Sequence, residues 1–373
     1  MLRVAIVGVG KMGISHLAMV NAHPDVTVVG VCDSMTYVLD VLSKYTGVAT
    51  FTNYRRMLDR VDADAVIIAT PTSSHYELVS EALDRGIHVF CEKPLSLSSA
   101  QSEELATKAQ AEGLVTQVGY HNRFVGTFRE VKRLLDINAI GEVMHVTAEA
   151  YGPVVLKEKG STWRSRRDSG GGCLYDYAAH PLDLLNWYFG SPTGVGGTVL
   201  GSVFSGETDD EVFSTLFFPG AMTGQLSVNW SDESYRKMTT QLTIFGKRGK
   251  IVADRQECKT YLRDTAQIPD GYRQGWNVRN TTELTEPVWF YLRGEEYSAE
   301  LDYFITSALG CPILERAHRE NNFGSAAATD RVIEMLIADA AAGPATRSET
   351  GNTVPSPEVR TPMWRRKPRV SVA

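Results

Sequence analysis

The sequence is poor in cysteine and contains no cysteine pair of the kind that binds a metal or forms a redox disulfide. Its 5 cysteines are an odd number, and they lie far apart, at Cys32, Cys91, Cys173, Cys258 and Cys311. The spacing excludes a small disulfide scaffold and a C-x-x-C site. Reduced thiols in a cytosol are the expected state.

Long apolar runs, a leader pattern and an excess of positive charge are also missing. The chain begins MLRVAIVGVG, which enters an apolar strand without the charged, apolar and small-residue order of a signal peptide, and no apolar run reaches membrane-span length. Its 38 Lys+Arg residues face 44 Asp+Glu residues, which gives a formal net charge of −6. Nucleic-acid-binding domains are normally strongly basic. We therefore expect a cytoplasmic protein with no nucleic-acid or membrane partner.

The first third of the chain has the pattern of a parallel α/β sheet. The 373 residues, 43% of them hydrophobic, suggest roughly two or three domains. Short apolar β-branched runs alternate with longer amphipathic segments, which is typical of parallel strands and crossover helices. Strands are predicted at residues 3–7, 26–32, 64–69, 88–91 and 114–119. We expect an α/β Rossmann domain, a doubly wound parallel sheet.

The pattern changes after a further helix near residues 127–141. Long alternating strands follow, joined by Pro-Gly and Gly-Lys-Arg-Gly turns, and these predict an antiparallel sheet in an α+β domain. The predicted domains are residues 1–123 for dinucleotide binding, 124–343 for substrate binding and oligomerisation, and 344–373 as a C-terminal tail. Residues 264–296 have no clear period.

A glycine motif follows the first predicted strand. Gly8, Gly10 and Gly13 form G-x-G-x-x-G at the start of a helix, which permits a tight turn and a close approach of the backbone to a pyrophosphate. Lys11 and Met12 lie in the same turn and are predicted to line the cofactor site. Asp33 ends the second strand about 20 residues later, where a carboxylate binds ribose hydroxyls and repels a ribose phosphate. The motif predicts NAD, with NADP less favoured.

Polar residues also follow two other strands, at the edge where doubly wound sheets bind ligands. The third predicted strand leads into ATPTSSH, in which Thr70, Pro71 and His75 are candidate cofactor contacts. The fourth leads into CEKP, in which Glu92 and Lys93 are candidates. A lone lysine is usually a solvated charge, but Lys93 stands at a strand end next to Pro94, which permits a cis bond.

The segment GGGCLYDYAAHPLDLLNWYFG (170–190) places an acid and an imidazole together. Asp176 and His180 are four apart on a predicted helix, with Asp183 three residues further along the same side. A His beside a carboxylate suits proton transfer near neutral pH, although a structural pair is the common alternative. A metal site is not predicted because no third and fourth ligand have usable spacing. A serine hydrolase is not supported because no G-x-S-x-G elbow is present.

Taken in order, VGVGKMG, CDS, ATPTSSH, CEKP, QVGYHNRF and GGGCLYDYAAHPLD resemble the glucose-fructose oxidoreductase / inositol dehydrogenase / MocA (Gfo/Idh/MocA) family over nearly the whole chain. The resemblance implies a Rossmann domain and a second domain with an open, largely antiparallel sheet that forms a homodimer or homotetramer interface. Lys93 matches the lysine of the family's E-K-P motif. Asp176 and His180 match its D-x-G-x-H motif.

The resemblance implies hydride transfer between NAD and a secondary alcohol or ketone of a sugar. His180 would act as the base, Lys93 would stabilise charge on the oxygen, and Asp176 would orient this pair. The sequence departs from the family pattern at Ala178, which stands in place of a glycine, and at Thr72, which stands where an Asn is frequent. Arg123 remains of a commonly paired set of arginines and is a candidate substrate contact. Elimination or hydrolysis with retained NAD, and a non-catalytic dinucleotide-binding regulator, are the alternatives.

A basic loop precedes the Asp176 helix. It contains Trp163 and a set of cations, namely Lys157, Lys159, Arg164, Arg166 and Arg167. A solvated loop is the plain interpretation. Alternatively, arginines at the mouth of the site clamp a phosphate or carboxylate, and Trp163 stacks on a sugar. Trp163 and Arg164 are therefore candidate substrate contacts, and an anionic sugar is preferred over a neutral inositol-like polyol.

Overall fold

The computed structural model describes residues 1–156, 163–310 and 321–343. Residues Met1–Gly343 form one compact unit, so the division at residues 123 and 124 stays a prediction. The predicted tail lies outside the described residues. Among the helices of the described chain, none is long and apolar enough to cross a membrane.

The first part of the chain folds into a parallel sheet of six described strands in the order β3-β2-β1-β4-β5-β6. Its strands are β1 (Leu2–Val7), β2 (Val26–Cys32), β3 (Thr50–Phe51), β4 (Ala65–Ile68), β5 (His88–Cys91) and β6 (Thr116–Val118). Its helices are α1 (Lys11–Asn21), α2 (Thr36–Thr46), α3 (Tyr54–Leu58), α4 (His75–Asp84) and α5 (Ser99–Ala111). The predicted doubly wound sheet is confirmed, and the order reverses between β1 and β4, where such sheets bind ligands.

The apolar strands are buried on both faces of this sheet, as a parallel sheet requires. In β4, all four residues are buried. One face contacts the core that continues into the second sheet. The other face packs against α9 (Glu295–Ala308), which contributes Leu301, Phe304 and Ile305. A helix late in the chain therefore completes the first sheet.

The second sheet has eight described strands in the order β14-β13-β12-β11-β7-β10-β9-β8. Its strands are β7 (Val143–Tyr151), β8 (Gly194–Gly201), β9 (Glu211–Phe217), β10 (Thr223–Asn229), β11 (Gln241–Gly246), β12 (Gly249–Ala253), β13 (Glu257–Leu262) and β14 (Gly275–Asn280). The β7–β10 pair is parallel and the other pairs are antiparallel. The predicted, mostly antiparallel sheet is confirmed.

Helices cover one face of the second sheet, and among the described residues the other face, the open face, has exposed side chains such as Phe217 and Trp276. They include α6 (Gly126–Asp136), α7 (Ala179–Phe189), α8 (Thr281–Leu284) and α10 (Phe323–Ala342). Side chains alternate along the strands, so that the residues of β9 and β10 are buried at every second position. β14 and α8 lie in the stretch for which the sequence showed no period.

Candidate active site

The glycine motif forms the tight turn between β1 and α1. Gly8 has φ +87°, and a Cβ there would lie 2.7 Å from the carbonyl oxygen of Ala69. A Cβ at Gly13 would lie 1.8 Å from the carbonyl oxygen of Gly8, so neither position admits a side chain. At Gly10 nothing lies within 4 Å of such a Cβ. The turn is therefore closely packed against backbone atoms at Gly8 and Gly13, and it leaves space beside Gly10. A pyrophosphate site needs both features.

The amino end of α1 is free to bind an anion. Gly10 caps α1 without a side-chain hydrogen bond, and the first turn contains no acidic residue. Lys11 is exposed and Met12 is half-buried in this turn. Unpaired N–H groups and the positive end of the helix dipole therefore point to the place where a diphosphate would bind.

Asp33 lies just beyond the end of β2 and is held by the backbone. Its Oδ2 accepts a hydrogen bond from the N–H of Val9 at 2.6 Å, and its Oδ1 accepts one from the N–H of Met35 at 2.8 Å. The first bond joins the carboxylate directly to the glycine turn. Asp33 and the turn thus form one half of a dinucleotide site, and these residues fit NAD.

The loop after β4 is fixed to the loop after β5 by His75. Its Nδ1 lies 2.9 Å from the carbonyl oxygen of Pro94 and its Nε2 lies 2.9 Å from that of Thr70. The ring is buried, and burial lowers its pKa. A neutral ring has one N–H and donates to only one of these oxygens, and the buried ring joins the Thr70 and Pro94 loops. His75 as a cofactor contact stays a prediction.

Glu92 lies in the floor of the site. Its Oε1 is 2.7 Å from Nε2 of His16, on α1. A Cβ at Gly119 would lie 2.9 Å from the Glu92 carboxylate, so the glycine makes room for the acid. Burial alone would raise the pKa of Glu92, but the hydrogen bond and charge of His16 and the charge of Lys93 lower it. Glu92 is thus an ionised group beside the predicted lysine.

Lys93 and Asp176 meet across the two halves of the chain. The Lys93 Nζ donates to the backbone oxygen of Asp176 and to its Oδ1, both at 2.7 Å, and the Lys93–Pro94 peptide is cis. Arg164 Nε donates to the other carboxylate oxygen at 2.9 Å. Burial would raise the pKa of Asp176, but the charges of Lys93 and Arg164 outweigh it and lower that pKa to about 2. The carboxylate is therefore ionised and held by two cations.

The segment that contains Asp176 is a π-helical turn. It spans Leu174–Ala178 and continues into α7. Pro181 has no N–H to bond the carbonyl of Tyr177, which suits a wider turn at this point. Asp209 anchors its start, because its Oδ2 accepts from the N–H of Leu174 at 2.6 Å.

His180 lies on α7 and is only 3% exposed. Its Nδ1 is buried and has no hydrogen-bond partner among the described residues. Burial, with the charges of Lys93 and Arg255, lowers the pKa of His180 well below its ordinary value. The ring is therefore neutral at pH 7 and able to accept a proton.

Arg123, which was predicted as a substrate contact, is buried in an ion pair. Its Nε and Nη2 donate to the two oxygens of Asp183 at 2.8 and 2.6 Å, and the side chain is 2% exposed. The guanidinium also lies 5.7 Å from the centre of the Trp187 ring. The carboxylate of Asp183 takes two of the five guanidinium N–H groups in a buried pair, which favours a structural role for Arg123.

The basic loop reaches the site through Arg164, whose guanidinium stacks on Trp163 at 4.6 Å. Arg166 and Arg167 are exposed. Gly170 has φ +82°, and a Cβ there would lie 2.9 Å from Thr72, so this loop contacts the loop after β4. Lys157 and Lys159 lie outside the described residues.

Two residues of the site were not predicted. His121 follows β6 and its ring lies 4.9 Å from that of His180. Tyr297, on α9, stacks on His121 at 4.5 Å. The strand-edge argument used for β4 and β5 applies to β6 as well and would have found His121. No sequence signal marks Tyr297.

The fold and these residues define a dinucleotide-binding oxidoreductase. The profile of the oxidoreductase family with an NAD-binding Rossmann fold, GFO/IDH/MocA, matches residues 2–120, and the GFO/IDH/MocA C-terminal domain matches residues 128–252. The chain therefore belongs to the GFO/IDH/MocA family of NAD-dependent oxidoreductases.

Individual relatives agree with this assignment. dTDP-3,4-didehydro-2,6-dideoxy-alpha-D-glucose 3-reductase of Streptomyces antibioticus is 30% identical over 258 residues, 66% of this chain and 75% of the relative. 2,7-anhydro-N-acetylneuraminate hydratase of Mediterraneibacter gnavus is 28% identical over 307 residues, 80% of this chain and 78% of the relative. The solved structure of levoglucosan dehydrogenase with NADH has a TM-score of 0.78 at 20% identity and covers 91% of this chain and 97% of its own, which shows the shared fold.

Proposed function

We propose that the protein transfers a hydride between NAD and a secondary alcohol or ketone of a sugar, with Lys93, Asp176 and His180 as the reacting machinery. The observation that carries this proposal is the ion pair of Lys93 with Asp176 at 2.7 Å, together with a neutral His180 whose Nδ1 has no hydrogen-bond partner among the described residues. Lys93 follows β5 and so places this cluster at the carboxyl edge of the Rossmann sheet. The names of the two sequence relatives reported above describe enzymes that act on sugars.

Each group has a role that its environment supports. Bound NAD supplies the hydride acceptor. A ring nitrogen of neutral His180 takes the proton of the substrate hydroxyl. The Lys93 ammonium donates a hydrogen bond to the same oxygen and stabilises its negative charge. Asp176 holds Lys93 in place, and Arg164 holds Asp176.

Kinetics of single variants test these roles. Lys93→Ala and His180→Ala are expected to lower kcat by about two to four orders of magnitude, because both act on charge that develops during the reaction. The Kd for NAD, measured by calorimetry, stays close to wild type. Lys44→Ala, on the exposed side of α2, is the matched control and keeps full activity. Near wild-type kcat for either variant contradicts the role assigned to it.

An anionic sugar is the proposed substrate class. The support is local: Arg164, Arg166 and Arg167 stand ahead of the Asp176 turn, and the contact between Gly170 and Thr72 joins their loop to the cofactor side. Arg166 and Arg167 are exposed. Guanidinium groups bind phosphate or carboxylate through paired hydrogen bonds. A sugar nucleotide, a sugar phosphate or a uronic acid fits such a clamp, and a neutral polyol does not use it.

Arginine variants distinguish these substrates. Loss of one bidentate clamp is expected to cost about 1.5 to 3 kcal/mol in kcat/KM. Arg166→Ala tests the clamp directly. Arg167→Ala also removes a cation 4.0 Å from Asp209, and Arg164→Ala, the third variant, also disturbs Asp176. Wild-type kinetics in the first two variants, or a neutral polyol as the best substrate, overturns the anionic proposal and leaves the dehydrogenase proposal standing.

A redox-neutral reaction is the second candidate. The relative from Mediterraneibacter gnavus is named a hydratase and is similar over 80% of this chain. In that case NAD stays bound and no NADH accumulates. Lys93 and His180 then take part in proton transfers in either reaction. The dehydrogenase and the redox-neutral candidate therefore differ only in whether NADH is released as a product.

We also propose that the open face of the second sheet is the interface of a homodimer or homotetramer. One row of paired residues crosses seven strands from Phe217 through His145 and Phe245 to Tyr261 and Trp276. Phe217 is 44% exposed and Trp276 is 50% exposed. Five of the seven residues in this row are aromatic, with Thr223 and Lys250 as the others. Exposed aromatic rings on a sheet face favour burial against a partner.

A cytoplasmic location is proposed as well. Cys32, Cys91, Cys173 and Cys258 are free and buried. Free thiols are typical of a reducing compartment.

A further inference from the structure

His121 lies between the proposed base and α9. It begins a short 3₁₀ helix, His121–Phe124, after β6, and it is 5% exposed. Its ring meets that of His180 edge-on, with centroids 4.9 Å apart and planes at 67°. Its face stacks on Tyr297 at 4.5 Å with planes at 21°. His121 is thus stacked on the ring of Tyr297 and contacts the ring of His180.

Hydrogen bonds from the described residues do not orient His180 through its Nδ1. Two aromatic neighbours meet the ring edge-on: His121, and Tyr120 at 6.2 Å and 89°. Tyr120 is fully buried, with 0% exposure. Ring packing against His121 and Tyr120 therefore restrains the orientation of His180 where its Nδ1 has no hydrogen bond among the described residues.

We infer that His121 is a positioning residue, which keeps the imidazole of His180 in the orientation needed to accept the substrate proton. This inference rests on the proposed role of His180 as the base. A shift of the base by about 1 Å can cost about 100-fold in rate. The ring of His121, backed by Tyr297, prevents such a shift.

The geometry assigns this role to the ring of His121 and not to its protonation. Its Nε2 lies 3.5 Å from the hydroxyl of Tyr297, so this nitrogen is directed toward α9. Burial lowers the pKa of His121 well below its ordinary value, and the facing groups His180, Arg255, Lys93 and Arg293 lower it further. His121 is therefore neutral at pH 7, and another planar ring can replace it.

Two variants of similar volume test the inference. His121→Phe keeps a planar ring, and His121→Leu removes it. With purified full-length protein and the best sugar substrate, we expect His121→Phe to retain kcat within about threefold and His121→Leu to lose about 10- to 100-fold. KM and the Kd for NAD stay near wild type in both. Thermal unfolding of both variants is measured alongside.

The remaining outcomes of this experiment each contradict a stated part of the inference. Equal kcat in the two variants at the wild-type level overturns the positioning role. An equal loss in both assigns the effect to the nitrogen atoms and also overturns it. His180→Ala is measured in parallel: if its kcat is near wild type, the proposed base fails, whereas a loss there with full activity in His121→Leu rejects this inference alone.

Discussion

At the residue scale, the site depends on charges whose partners come from distant parts of the chain. Lys93 and Asp176 are 83 residues apart, and Asp33 is 24 residues from the N–H of Val9 that holds it. Both pairs join strand ends or helix starts. Backbone topology therefore places these groups, and hydrogen bonds set their final geometry.

Asp33 gives the first prediction. Wild-type protein is expected to bind NAD at least about tenfold more tightly than NADP, because the carboxylate repels a ribose phosphate. Asp33→Ser is expected to reduce the difference in affinity between NAD and NADP. Asp33→Asn retains an acceptor oxygen for Val9 or Met35 without the charge, so it separates repulsion from loss of structure. Calorimetry that gives equal affinities for the two cofactors in the wild type contradicts this explanation.

Sequence patterns predicted some of these residues and not others. Gly8, Asp33 and Lys93 lie directly after strands, where a local pattern is sufficient. The ion pair of Arg123 was not predicted because its partner, Asp183, is 60 residues away, and no local pattern separates a buried ion pair from an arginine in a cleft. His121 needed only the same strand-edge rule applied to β6.

At the element scale, α5 and α10 pack beside the loop that carries Lys93. Asp330 of α10 accepts a hydrogen bond from Ser102 of α5 at 2.7 Å. Its Oδ2 also lies 3.4 Å from the N–H of Ser96, three residues beyond Lys93, and its Oδ1 is buried without a partner among the described residues. Burial raises the pKa of Asp330 to about 7.

This carboxyl group predicts a pH effect on stability. The folded state binds the proton more tightly than the unfolded chain, so the contribution of Asp330 to the free energy of unfolding falls as pH rises from about 4 to about 7. Asp330→Asn removes this loss, on the order of 4 kcal/mol over the full range, and flattens the profile. Denaturant unfolding at pH 5 and pH 8 measures it, with the exposed Asp40→Asn as control. Identical pH dependence in wild type and Asp330→Asn contradicts the prediction.

The elements themselves were largely predictable. Five of the six described Rossmann strands were predicted close to their bounds because parallel strands are continuous apolar runs. β3 has two residues and is too short to show a pattern. The packing of α9 on the first sheet is a long-range contact that periodicity does not contain.

At the scale of the whole molecule, the second sheet is expected to join copies of the chain. Trp276→Lys combined with Val278→Lys places two charges on the exposed side of β14, where Trp276 is 50% and Val278 is 49% exposed. The variant is expected to have a smaller mass than wild type by light scattering, because charges disfavour a buried apolar interface. Tyr37→Lys on α2, where the tyrosine is 76% exposed, is the control and leaves the mass unchanged. A monomeric wild type, or an unchanged mass in the double variant, contradicts the proposed interface.

The central claim is that this chain carries out a net oxidation or reduction with NAD. The most direct measurement counts the NADH formed for each sugar consumed by the purified protein with added NAD. The substrate is the best one from a panel of sugar nucleotides, sugar phosphates, uronic acids and polyols. Hydride transfer to the cofactor predicts one NADH for each sugar oxidised. Sugar consumed without NADH contradicts the claim and identifies a redox-neutral reaction.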